Sequence, residues 1–299
     1  MSDFADLLSL KNIEYYENYP LSGLSTFRTG GNARYAVFPS ETEKLVTAVE
    51  SAVKCGERYE VIGNASNVLF GDAGFEGAII VTKKSGEIKT DGNRIFCSAG
   101  AQLSALSNAA AAAGLSGLEF AFGIPGSVGG AVFMNAGAYG GQISDVLVCS
   151  EAYDVSEGSI IRIGAEEHCF GYRKSVYSEN RNLICLSATF ELTCGDSGKI
   201  LGLMRANMAK RREKQPLEYP SAGSFFKRPE GFYAGKLIEE CGLKGLKVGG
   251  AAVSEKHAGF IINTGGARSS DIKELAEQVV RIVFEKTGVM LEAEVRYIF

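Results

Sequence analysis

The sequence is short of the residues that hold metals. It has two histidines, His168 and His257, far apart, and seven cysteines with no CxxC pair among them. That spacing excludes the common zinc and dithiol sites. The cysteines, at positions 55, 97, 149, 169, 185, 194 and 241, are odd in number and read as buried small hydrophobes of a reduced cytosol. His168 and Cys169 are neighbours, and neighbours on a strand face opposite ways, so they do not read as a nucleophile pair. No apolar run approaches the ~20 residues that span a bilayer. The start, Met1 to Asp6, is acidic and lacks the basic end and apolar stretch of a signal peptide. The expectation is a cytoplasmic protein with no membrane contact. Charge is not one-sided either: 31 basic and 35 acidic residues give a net −4 with no basic tract, so nucleic acid has no electrostatic footprint. Two fingerprints of nucleotide binding, GxGxxG and GxxxxGK[ST], do not occur.

Glycine, by contrast, is plentiful where a packed core would not want it. The stretch from Gly123 to Gly141 has seven glycines in nineteen residues, with Pro125 near its start. Glycine lets a ligand approach the main chain closely, and successive bare N–H groups form a concave nest for phosphate oxygens. A second segment, Val61 to Phe70, reads as a strand end, a turn of small polar residues and another apolar run. In it Gly63 and Asn64 tolerate positive φ, and Ser66 and Asn67 add side-chain donors. Two such segments in one chain point to a dinucleotide cradle of neither common type.

The 299 residues suit two or three domains. Residues 35–38 read as a strand. Ser40 and Glu43 have capping-box spacing, and a helix follows to about Cys55, stopped by Gly56. Further strands are expected near 60–62, 78–82, 95–98, 146–154, 159–163 and 183–192, with an alanine-rich helix over 103–113. Gly195 to Gly198 reads as a hinge. A helix over 199–214 ends in a basic stretch, Lys210 to Lys214, that reads as a solvated face. Beyond it come a loop with Ser224, a short helix over 234–241, strands near 248–253 and 259–262, and an amphipathic helix. That helix starts at Ser270, with Ile272, Leu275, Ala276, Val279 and Val283 on one side, and a last strand covers 289–298.

Six blocks in register carry a resemblance: Ser25 to Gly31, Ile62 to Leu69, Gly123 to Gly140, Gly171 to Ser175, Ser221 to Lys227 and Leu291 to Arg296. Together they cover nearly the whole chain, which resembles the UDP-N-acetylenolpyruvoylglucosamine reductases, flavin enzymes of peptidoglycan precursor synthesis. The resemblance implies an α+β fold of the vanillyl-alcohol-oxidase-like FAD type. Two FAD-binding subdomains are expected over 1–83 and 84–194, and a C-terminal α+β substrate domain over 195–299. It implies FAD and NADPH as cofactors, and NADPH and the enolpyruvyl ether of UDP-N-acetylglucosamine as partners, in a monomer or weak oligomer. The family usually has glycine where Ala65 stands. The short span between Arg173 and residue 195 matches the form without a tyrosine-bearing insertion.

By the same resemblance, Ile62, Gly63, Asn64, Ala65, Ser66, Asn67, Val68 and Leu69 hold the pyrophosphate and ribose of FAD. Gly123, Pro125, Gly126, Ser127, Gly129 and Gly130 wrap the remainder of the cofactor, together with Asn135, Ala136, Gly137, Ala138 and Tyr139. Ser224 matches the proton donor, and Arg173 and Glu294 match its two stabilising partners. Hydride passes from NADPH through the flavin N5 to the enolpyruvyl methylene carbon. The negative charge left on the adjacent carbon and its carboxylate suits a fixed guanidinium and a nearby hydroxyl. Tyr172, Lys227, Arg228, Lys236 and His257 are substrate candidates, Lys227 for the diphosphate; Tyr219, Lys247 and Asn263 are weaker ones. Two other functions fit the cradle: another FAD oxidase or dehydrogenase of this fold, or a nucleotide-binding protein without catalysis.

Overall fold

The structure is a computed structural model and describes residues 3–299. Its contacts group Met1–Glu17, Tyr35–Asn64 and Gly77–Arg211 in one compact unit, and Asn18–Arg34, Ala65–Glu76 and Arg212–Phe299 in another. Among the described residues no helix is long and apolar enough to cross a membrane.

The first unit holds two large apolar clusters. One gathers Phe4, Leu8, Val37, Leu45, Val49 and Ile80 around the helix Thr42–Cys55. In that helix Leu45, Ala48, Val49 and Ala52 are buried, and Gly56 closes it at φ 65°. The expected capping box is not there: Glu41 is the N-cap residue and makes no side-chain cap bond, which leaves Ser40 one position too early. A four-stranded sheet has the order Glu14–Pro20, Asn32–Phe38, Phe75–Val81, Tyr59–Ile62, and its last pair is parallel, with Ile62 opposite Val81. That pair ends at the first glycine turn, which follows the strand's one buried residue, Ile62.

The second cluster fills the space beside a five-stranded sheet ordered Ser159–Gly164, Leu147–Asp154, Leu183–Glu191, Arg94–Ser98, Ile88–Asp91, all antiparallel. The helix Leu103–Ala112 buries Leu103, Leu106 and Ala110 there, and the helix Val128–Met134 buries Val128, Ala131 and Val132. The long helix Ser197–Lys214 begins within the stretch expected to be a hinge, because Asp196 accepts from Lys199 N at 2.8 Å and fixes its first turn. Cys97 and Cys149 are buried as expected, but Cys169 and Cys194 are exposed.

The second unit is built on the helix Ser269–Thr287. Its Ile272, Leu275, Ala276, Val279 and Val283 are buried, which is the stripe expected from the sequence. Asp72 reaches the start of this helix from far along the chain, accepting from Ser269 N at 2.7 Å and Ser270 N at 2.9 Å. The apolar stripe faces Phe225, Phe226, Leu237, Ile238, Val253, Ile261 and Val295. Two expected strands differ. The stretch 248–253 is two strands, Lys247–Val248 and Ala251–Val253, joined by a turn in which Gly249 has φ 51°. Only Arg296–Ile298 of the last stretch is a strand, paired in parallel with Val68–Phe70. Residues 292–294 pair instead with the Ser224 loop.

Candidate active site

In the first unit the two glycine segments meet. Asn64 and Gln102 exchange side-chain amide bonds, with Gln102 Nε2 donating to Asn64 Oδ1 at 2.9 Å, and Gln102 bridges to Ser127. Gly63 sits so close to Ser127 that a Cβ at position 63 would overlap the Ser127 hydroxyl. Gly129 is confined likewise: its Cβ would stand 2.8 Å from Ala99 Cβ, and its N–H donates to Ala99 O at 2.8 Å. We expect Gly63→Ala to yield protein largely without the cofactor that the sequence resemblance implies, measured as bound cofactor per chain. Ser127→Gly added to it is expected to recover part of the binding, because it removes the overlapping hydroxyl.

The two segments differ as anion sites. In the first, the main-chain N–H groups of Asn64, Ala65 and Ser66 have no acceptor among the described residues, and Ala65 is left-handed at φ 47°. Successive unclaimed amides around a left-handed residue make the nest that phosphate oxygens fit. In the longer segment most amides are taken: Val128 donates to Ala101 O, Gly130 to Ser127 Oγ and Ala131 to Ser127 O. The bare amides expected there are therefore mostly not bare, and Gly129 and Gly137 serve close backbone packing. The free amides at 64–66 fit phosphate oxygens better than the longer segment does.

Asn135 organises the rest of this unit's site. It is buried, left-handed at φ 42°, and closes the helix Val128–Met134. Its Nδ2 donates to Gly171 O at 3.1 Å, and its Oδ1 accepts from Ser144 N at 3.0 Å. Gly171 and Lys174 exchange backbone bonds, so Tyr172 and Arg173 form the tip of a tight turn, with Arg173 at φ 55°. The Arg173 guanidinium reaches back to Asn135 O at 3.5 Å and Gly137 O at 3.3 Å, and lies 5.1 Å from the centre of the exposed Tyr172 ring. Left-handed non-glycine residues at Ala65, Asn135, Tyr139 and Arg173 coincide with candidate site positions; such strain persists where the surroundings over-determine it.

One cation was missed. Arg211, in the stretch read as a solvated face, is half-buried, and its Cδ would lie 3.1 Å from a Cβ on Gly123. Burial pushes its pKa down, with Tyr139 opposing. A lone basic run carries no sequence signal for this, because only the fold turns one of its residues inward.

In the second unit the loop of Ser224 and the stretch of Glu294 adjoin. Glu294 N donates to Phe225 O at 2.8 Å, Lys227 N donates to Glu292 O at 2.8 Å, and Phe226 bridges to Ala293. Asn67 ties the first glycine turn to the same stretch: its Nδ2 donates to Glu294 O at 3.0 Å, and its carbonyl accepts from Arg296 N at 3.0 Å. Ser224 is exposed beside the buried Phe225 and Phe226, so its hydroxyl is held by a rigid backbone and open to a ligand. Val68 and Leu69 are buried in the strand that follows Asn67.

The substrate candidates are less convergent. Lys227 pairs with Glu292 at 3.2 Å, Lys236 with Glu240 at 3.6 Å, and Arg228 lies 4.4 Å from the centre of the Tyr233 ring. His257 Nδ1 accepts from Gly259 N at 3.1 Å, its ring packs on Phe260, and burial lowers its pKa, so it is held as a neutral group of the fold. Asn263 is fully used inside the unit, donating to Phe27 O and accepting from Gly265 N and Ala267 N.

Residues 33–164 match the family described as FAD binding domain, which makes this a flavin-binding protein. Residues 215–298 match the UDP-N-acetylenolpyruvoylglucosamine reductase C-terminal domain. The chain is 47% identical over 298 residues to the UDP-N-acetylenolpyruvoylglucosamine reductase of Caldicellulosiruptor bescii, covering 99% of this chain and 94% of that one. The enzyme of that name from Pediococcus pentosaceus is 46% identical, over 96% of this chain and 95% of that one. The crystal structure of the reductase from Thermus caldophilus superimposes with a TM-score of 0.80 at 36% identity, over 96% and 99% of the two chains. The chain belongs to the UDP-N-acetylenolpyruvoylglucosamine reductase family.

Proposed function

We propose that this chain is an FAD-dependent reductase that converts the enolpyruvyl ether of UDP-N-acetylglucosamine to UDP-N-acetylmuramate, a step of peptidoglycan precursor synthesis, with NADPH as the source of reducing equivalents. The observation that carries the reading is the unclaimed amide nest at 64–66, tied through Asn67 to the backbone of Glu294 and Arg296. When bound, FAD supplies the hydride that reaches the enolpyruvyl methylene carbon. Gly63, Asn64, Ala65, Ser66 and Asn67, with Ser127, would hold the cofactor. Along the chain this function would divide into two FAD-binding subdomains, 1–83 and 84–194, and a substrate domain, 195–299.

Arg173 bears on the substrate carboxylate. Hydride addition leaves negative charge on the adjacent carbon, shared with that carboxylate, and a guanidinium held by two main-chain carbonyls needs little rearrangement to stabilise it. Ser224 then gives its proton to that carbon. A serine hydroxyl is a weak acid, so the proton it gives up is replaced from solvent, and Glu294, on the adjoining stretch, is the second partner that stabilises the reacting group. Lys227, released from Glu292, is suited to the diphosphate as a mobile point charge. Turnover in deuterium oxide tests the assignment. The carbon that bears the carboxylate is expected to take up one deuteron in a single configuration, as a positioned donor delivers it. Deuterium there in both configurations would remove the role given to Ser224.

A further inference from the structure

One buried hydroxyl holds both ends of the loop that presents Arg173. Ser150 lies on the strand Leu147–Asp154, inside the five-stranded sheet and 1% exposed. Its Oγ is 2.9 Å from His168 Nε2 and 2.6 Å from Tyr177 Oη. His168 comes just before the loop and Tyr177 just after its last residue, so the eight residues 169–176 leave and return to a single atom. Both side chains are buried as deeply as Ser150.

The direction of the chain of bonds follows from its far end. His168 Nδ1 lies 2.7 Å from Gly164 O, and a carbonyl only accepts, so Nδ1 carries the proton. In the neutral ring that burial favours, Nε2 must then accept. Ser150 therefore donates to His168 Nε2 and accepts from the Tyr177 hydroxyl. The bonds all run in one sense, and a carbonyl of the sheet edge terminates the series. The His168 ring also stacks on Phe170 with centroids 4.8 Å apart, inside the loop. Ser175 Oγ, at the loop's other end, donates to Phe133 O at 2.8 Å, next to the helix end that Asn135 closes.

We propose that Ser150, with His168 and Tyr177, is a positioning group for Arg173: the shared hydroxyl fixes the span of the loop, and the fixed span keeps the left-handed turn at Arg173 aimed at the carbonyls of Asn135 and Gly137. The strained turn needs such a frame, because a left-handed arginine relaxes once its neighbours allow it. A Ser–His pair closed off from solvent and ending on a carbonyl has no access to a substrate, so it acts through the loop. This inference rests on the role given to Arg173 above.

The test follows the two half-reactions of the FAD-loaded enzyme without oxygen: reduction of the flavin by NADPH, and its reoxidation by the enolpyruvyl substrate. Ser150→Ala is expected to retain bound flavin and the rate of reduction, and to slow reoxidation about 10-fold, because small displacements of a charge-stabilising group cost rate steeply. Ser150→Thr, which keeps the hydroxyl, should restore most of the loss. In an Arg173→Ala background, Ser150→Ala should slow reoxidation no further. The proposal is overturned if Ser150→Ala slows both half-reactions alike, or slows reoxidation by the same factor with Arg173 absent. Should Ser150→Ala not fold, Tyr177→Phe removes one hydroxyl and keeps the ring. It should show the same split with a smaller loss, and an equal effect on both half-reactions, or none, overturns the proposal. If Arg173→Ala itself leaves reoxidation unchanged, it is the role of Arg173 that fails, which sets that outcome apart from failure of the clamp.

Discussion

Ser224→Ala is expected to be reduced by NADPH at the normal rate and reoxidised by the enolpyruvyl substrate roughly 10²–10⁴-fold more slowly, the usual worth of one positioned proton donor. The split is the informative part. Ser224 is exposed, on a loop whose buried neighbours Phe225 and Phe226 pack among Leu237, Ile261 and Val295. Removing its hydroxyl leaves no cavity and no unsatisfied buried atom, so stability and flavin content should stay within about 0.5 kcal/mol and measurement error of the parent. Rapid-mixing absorbance of the flavin, followed in each half-reaction, reads the rates, and thermal melting reads the stability. Equal reoxidation rates in parent and variant would take the proton from another group.

Arg173→Ala carries the second large effect. Loss of a preorganised charge-stabilising donor costs about 10²–10³ in rate. Here the loss should again fall on reoxidation. Arg173→Lys should recover little of it. An ammonium is a single point charge, whereas the guanidinium of Arg173 lies beside the Tyr172 ring and reaches two carbonyls at once, Asn135 O and Gly137 O. The turn also bears on the outcome. Arg173 is left-handed, and any L-residue there keeps that strain, so Arg173→Gly should be the more stable variant while remaining as slow as Arg173→Ala. Thermal melting and the reoxidation rate, measured on the two variants side by side, separate the backbone effect from the charge effect.

Much of this could be read from the chain alone, for identifiable reasons. The helix Ser269–Thr287 shows its buried side at the helical period, and all five residues expected on that side are buried. The glycine segments were legible because each excess glycine is costly unless something requires it. The failures lie where interactions are weak or distant. Ser40 and Glu43 have the right spacing for a cap, but a cap contributes only about 1 kcal/mol, too little to set a boundary against packing. Asn135 reaches Gly171, 36 residues along the chain, and no local pattern announces such a bond. The stretch before Arg296 was expected to be one strand. Its residues 292–294 bind the Ser224 loop instead, and the departure from regular structure falls at Glu294 itself. Arg211 shows the converse: one residue of a basic run, turned inward by a helix whose neighbouring cations Lys210 and Lys214 stay in solvent.

The central claim is that a flavin held by this chain carries reducing equivalents from NADPH to an enolpyruvyl sugar nucleotide. An anaerobic titration tests it in one cuvette. The purified protein should be yellow, should bleach on adding one equivalent of NADPH, and should regain its colour on adding one equivalent of the enolpyruvyl ether of UDP-N-acetylglucosamine. A protein that takes up no FAD, or one whose bleached flavin stays bleached in the presence of that ether, would contradict it.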